Sequence, residues 1–103
     1  MLLAAREEQN RQQIQQLIAT YTLKADALAL EFRYTEVAMQ YRAIIGIHVE
    51  NELPSTDLAG WYDMLGGVLR DNGTYLPALE IFEQALAIRE EVLEATHPDL
   101  VIS

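Results

Sequence analysis

The sequence contains no cysteine, which excludes a disulfide framework, a thiolate nucleophile and any zinc site built on cysteine, and leaves the chain indifferent to redox compartment. A cytoplasmic location is the expectation that follows. Basic residues are scarce: 7 Lys and Arg stand against 16 Asp and Glu, a net charge of -9. Contacts with phosphate backbones and anionic lipid need clustered cations, so neither nucleic acid nor a membrane surface is expected as a partner. Long hydrophobic runs are missing too. Met1-Leu2-Leu3-Ala4-Ala5 gives way at once to Arg6-Glu7-Glu8, without the apolar stretch of a signal peptide, and no later run approaches membrane-spanning length.

Half of the 103 residues are apolar and 22% are charged, enough for one folded domain with a core. The acid is spread along the chain, as on a solvated helical surface. The most informative feature is a repeat, because residue types recur at an offset of 41 positions. Tyr21 falls on Tyr62, Ala25 on Gly66, Leu28 on Leu69, Tyr34 on Tyr75, Tyr41 on Phe82, Ile45 on Leu86 and Ile47 on Ile88. A period of this length signals stacked structural units.

Within the second unit Leu58, Tyr62, Leu65 and Leu69 step at helical spacing, and Ala78, Phe82, Ala85, Leu86 and Ile88 to Leu93 continue a second such face. Asn72-Gly73 breaks the pattern, Thr74 is placed to cap the next helix, and Pro77 is tolerated in its first turn. The first unit predicts a hairpin with one helix from about Gln12 to Leu30, a turn at Glu31-Phe32-Arg33 and a return from Tyr34 to about Leu53. The expected organisation is a polar N-terminal extension over 1–13, a degenerate first repeat over 14–53, a linker over 54–57, a second repeat over 58–95, and a linker with the stub of a third hairpin over 96–103. The fold class is all-α, antiparallel helical hairpins stacked as a short solenoid.

The second unit resembles the tetratricopeptide repeat, and within it the longer variety of kinesin light chain-like arrays. Tyr62, Leu65, Gly66 and Leu69 sit where that motif takes an aromatic, a Leu, a small and a large residue, and Ala78, Phe82 and Ala85 where it takes small, aromatic, small. The run Ala85-Leu86-Ala87-Ile88-Arg89-Glu90-Glu91-Val92-Leu93, followed by His97-Pro98-Asp99, resembles the longer variety. The first unit is the weaker match, with Val37 and Ile44 where small residues are usual. The resemblance implies a protein-interaction scaffold that holds a peptide or helix on the concave face lined by the first helix of each hairpin. Thr22, Asp26, Asp63, Met64, Gly67 and Arg70 are the expected contacts there. The paired Asn common in the family are replaced by Asp63-Met64 and Thr22-Leu23, and the usual Gly after Val92-Leu93 is replaced by Glu94, which removes the easy left-handed helix stop. Gly67 costs about 1 kcal/mol relative to Ala in a helix, which either close approach of a partner backbone or tight helix packing accounts for.

Other chemistry is not supported. With Arg70 the one basic residue among the groove candidates, a clamp for an acidic chaperone tail is excluded. His97-Pro98-Asp99 matches the tripeptide of J-domain co-chaperones, but the preceding Glu90-Glu91-Val92-Leu93-Glu94 is acidic, and a linker is the better reading. His48 with Glu52 offers half a metal site on one helical face, short of the ligands a site needs, and a partly exposed helix histidine beside an ordinary acid is expected. No nucleophile with a base at motif spacing and no phosphate-cradling loop occurs, so neither an enzyme nor a cofactor is expected. The last residues supply no polar capping helix, leaving Ala85, Ile88, Val92, Leu100 and Val101 as an apolar edge. Self-assembly through that edge, as a homodimer or as part of a larger polypeptide, is the alternative function.

Overall fold

The computed structural model describes residues 2–96, with side chains from Ala4 to Ala95. Four helices follow one another: α1 Leu2–Leu30, α2 Tyr34–Glu50, α3 Ser55–Asp71 and α4 Tyr75–Thr96. Each packs on the next, α1 on α2, α2 on α3 and α3 on α4, whereas the backbones of α1 and α3 stay apart. The result is two antiparallel hairpins stacked through α2 and α3, as in a short tetratricopeptide-like helical repeat.

The same stop closes α1, α2 and α3. Phe32, Glu52 and Gly73 adopt positive φ of 59°, 52° and 83°, and the residue after each donates its amide back to the last turn: Arg33 to the Leu28 carbonyl at 3.1 Å, Leu53 to His48 at 3.0 Å and Thr74 to Leu69 at 2.9 Å. The left-handed residue itself donates to Ala29, Val49 or Arg70. Both bonds define the Schellman motif, which satisfies carbonyls that a helix end leaves bare. The first and third stops lie one 41-residue period apart, so the repeat extends to the hydrogen bonding of the turns. Thr74 does not cap α4 as expected. Its hydroxyl donates to the Leu69 carbonyl at 2.7 Å, reinforcing the end of α3 instead.

The helix bounds differ from those read in the sequence at three places. The first helix runs unbroken from Leu2, so the polar extension is helical, and residues 4–13 are exposed. Its i, i+3 pair Arg11–Glu8, at 3.1 Å, is of the kind that supports a solvated helix. Glu52 takes the left-handed position, so α2 ends at Glu50 and not near Leu53. Pro54, extended at φ -52° and ψ 133°, then launches α3 at Ser55, ahead of the expected Leu58.

Buried positions repeat with the same period. Val37 and Ala78, Ile44 and Ala85, Ala25 and Gly66, and Leu28 and Leu69 all lie inside. Gly66 is required by close approach, because a Cβ there would stand 2.8 Å from Cε1 of Phe82 on α4. The first hairpin has Ala25 at that position and places its bulk on α2, where Val37 and Ile44 are fully buried. Tyr41, the counterpart of Phe82, reaches across to α3, with its ring centroid 6.0 Å from that of Trp61. This aromatic contact ties the two hairpins together.

Candidate functional site

The gap between α1 and α3 forms a cleft of about 930 Å³. One wall is α1, through Arg11, Ile14, Gln15 and Ile18, which share a face at helical spacing. The other is α3, through Thr56, Asp57, Gly60, Trp61 and Met64, and the floor is His48 with Leu53 and Pro54. Its walls are apart because α2 lies between them and touches both. Gly60 adds no side chain to the wall, and a Cβ there would meet nothing within 4 Å. The cleft is apolar in its middle, at Ile14, Ile18, Trp61 and Met64, and carries charge at Arg11 and Asp57. A few polar groups around an apolar concavity is the usual make-up of a binding site.

His48 is the polar group of the floor. It is 5% exposed and its Nδ1 finds no hydrogen-bond partner among the described residues. Burial pushes its pKa below the ordinary value, with the Asp57 carboxylate pulling the other way. This corrects the expectation of a partly exposed histidine sharing a face with Glu52. The helix stops before Glu52, which takes the left-handed position, so His48 and Glu52 do not share a helical face. Among the described residues no group of three or more His, Asp or Glu is placed to hold a metal ion.

Of the groove residues expected from the sequence, Met64 alone lines this cleft. Thr22 and Gly67 continue its two rows at helical spacing, Thr22 after Ile18 and Gly67 after Met64. The Thr22 hydroxyl is occupied within α1, donating to the Ile18 carbonyl at 2.8 Å. Asp63 is engaged with Arg89 of α4 at 2.5 Å, within its own hairpin. Asp26 lies close enough to Tyr41 to help burial raise the phenol pKa, burial being the larger cause. Arg70 lies 3.6 Å from Asp71 and is exposed. A Cβ on Gly67 would come no nearer than 4.0 Å to Arg70 Nη2, so internal packing does not account for that glycine. Sequence reading missed Trp61, Ile14 and Ile18, and singled out His48 only as half of a metal site with Glu52. The signal available was the Ile14–Ile18 pair at i, i+4, which extends the Ala25–Leu28 face toward the start of α1, beyond the length that α2 covers.

The expected apolar edge is also rearranged. Ala85 is fully buried against α3 and is not bare. Ile88 and Val92 are half-buried and, with Thr56 and Arg89, line a smaller hollow of about 240 Å³. His97-Pro98-Asp99, Leu100 and Val101 lie outside the described residues. Glu94 lies within α4, which continues to Thr96, as the loss of a glycine stop implies.

Residues 58–99 match the model of the family described as Tetratricopeptide repeat. The match supports a tetratricopeptide repeat family. It begins at Leu58 in the first turns of α3, takes in all of α4, and so contains the Gly66–Phe82 contact on which the hairpin closes. Tetratricopeptide repeats generally mediate protein–protein interaction and are scaffolds rather than enzymes. No curated protein and no solved structure matches the chain. Among the described residues no helix is long and apolar enough to cross a membrane.

Proposed function

We propose that this chain is a protein-interaction module that holds an apolar peptide or helix of a partner protein in the cleft between α1 and α3. The observation that carries the proposal is the cleft itself, open, apolar in its middle and walled by the first helix of each hairpin. A partner side chain entering between Ile14 and Trp61 would bury apolar surface at about 25 cal/mol per Å², and Arg11 and Asp57 would orient it. Thr22 and Gly67 extend the contact along the groove, with Gly67 leaving room for a partner backbone. In this reading residues 14–53 and 58–95 are two repeats, the second of the longer kinesin light chain-like kind, as its Ala85 to Leu93 run suggests.

Trp61 is the chain's single tryptophan, and its place in the cleft makes it a reporter. Peptides selected for binding from a random display library are expected to shift Trp61 emission, and Met64→Asp is expected to abolish both the shift and the binding. Peptides that bind with Trp61 emission unchanged and with full affinity for Met64→Asp would show that the cleft is not the site. Self-assembly through Ile88 and Val92 would instead appear as a mass by light scattering that rises with concentration and falls in Ile88→Asp.

A further inference from the structure

The outer side of α4 carries a feature that the cleft does not use. Leu79, Leu86 and Leu93 recur every seventh residue, and they are 53%, 57% and 56% exposed. Successive leucines stand about 10 Å apart along the helix. Alternating with them, and also seven apart, are Glu83 and Glu90, both exposed and with no ion pair among the described residues. The Leu79–Glu83–Leu86–Glu90–Leu93 spacing of four and three is that of a helix–helix seam, with leucine in one of its two positions and glutamate in the other.

The repeat shows what such a row is shaped to receive. One period earlier the equivalents of Leu79 and Leu86 are Ala38 and Ile45, which are 5% and 9% exposed. They are buried because α2 has a helix on either side, α1 and α3, whereas among the described helices α4 packs on α3 alone. Among the described residues the position that is covered in the first hairpin is thus open in the second, and Leu79 there replaces the smaller Ala38.

Charge decides among occupants. Besides Glu83 and Glu90, α4 carries three further glutamates, and its one basic residue, Arg89, is paired with Asp63. Two copies meeting through this row would bring glutamate rows together, and facing like charges oppose pairing. We propose that the Leu79–Leu86–Leu93 row docks an amphipathic helix of a partner protein that carries leucine at heptad spacing and lysine or arginine in the intervening seam position. The leucines supply buried apolar area, and the basic side chains neutralise Glu83 and Glu90.

The test uses the full chain and two labelled synthetic helices of about three heptads, identical in their leucines and differing only in lysine or glutamate at the intervening seam position. Fluorescence anisotropy is expected to show the lysine peptide binding at least about tenfold tighter than the glutamate peptide, with affinity falling as salt is raised. Glu83→Lys with Glu90→Lys, both at exposed positions, is expected to invert the preference. Leu86→Ala is expected to weaken binding of the preferred peptide while circular dichroism stays unchanged. The proposal is overturned if neither peptide binds, if both bind alike, or if the charge-reversed chain keeps the original preference. It is also overturned if the lysine peptide shifts Trp61 emission, which would place it in the α1–α3 cleft, or if sedimentation shows self-association that Leu86→Ala abolishes.

Discussion

Two adjacent glycines of α3 invite the same substitution and should respond with opposite sign. Replacing a helix-interior glycine by alanine restricts the unfolded chain and gains about 1 kcal/mol of stability when nothing else changes. At Gly67 nothing else changes, since the added Cβ would stand 4.0 Å from its nearest neighbour, the flexible end of Arg70. At Gly66 the Cβ would meet Phe82 Cε1, Cδ1 and Cζ at 2.8, 2.9 and 3.0 Å, whereas carbon atoms in good contact sit about 3.5–4.0 Å apart. The ring must retreat from the hairpin interface, and forcing extra volume into a packed site costs about 1–3 kcal/mol. Setting the propensity gain against that cost leaves Gly66→Ala at between no change and a loss of roughly 2 kcal/mol, while Gly67→Ala keeps its full gain. For a chain of this size about 1 kcal/mol moves the thermal midpoint by about 4–8 °C, so calorimetry should find Gly67→Ala above the parent and Gly66→Ala at or below it. Phe82→Leu, by withdrawing the ring edge, should cost less in the Gly66→Ala background than in the parent. Equal midpoints for the two glycine variants, or no coupling to Phe82, would refute the close approach of α3 and α4 on which the second hairpin rests.

Stability should also report the burial of His48. Its folded pKa lies below the ordinary value because burial opposes the charged form. An unfolded histidine takes up its proton at about 6.5, so the stability linked to His48 is complete above that value and is lost as pH falls through the lower folded one. Urea midpoints between about pH 7 and pH 5 should therefore fall more steeply for the parent than for His48→Leu, and parallel slopes would contradict the burial. Ile44 is fully buried at the centre of the first hairpin, and Ile44→Ala should lower the unfolding free energy by about 2–5 kcal/mol in chemical denaturation. Glu52 pays for a left-handed backbone at φ 52°, which costs an L-residue about 1–2 kcal/mol; Glu52→Gly should therefore raise the thermal midpoint, and a fall would mean that the Glu52 side chain holds the turn.

The sequence by itself determined the parts of this protein that depend on neighbours along the chain. Apolar residues at helical spacing gave the helices, the offset of 41 gave the stacking of two like hairpins, and Asn72-Gly73 gave the turn between α3 and α4, because glycine marks a left-handed stop. The equivalent stops at Phe32 and Glu52 left no such mark, since there the closing backbone hydrogen bonds hold a positive φ in exposed residues that do not prefer it. Thr74 has the composition of a cap, and only the closed turn shows its hydroxyl spent on Leu69.

The candidate site was decided almost entirely by tertiary structure. Met64 was legible because it lies on the first helix of its hairpin, but the cleft exists because α2 separates α1 from α3, a distance no local pattern encodes. Trp61 and Ile18 read equally well as core residues until that gap exposes them to one cavity. Asp63 looked like a groove contact until the crossing of α3 and α4 placed Arg89 beside it. Ala38 and Leu79 show the same division one period apart: helical periodicity assigns both to one face, but whether that face is core or surface depends on which helices have a neighbour to cover it.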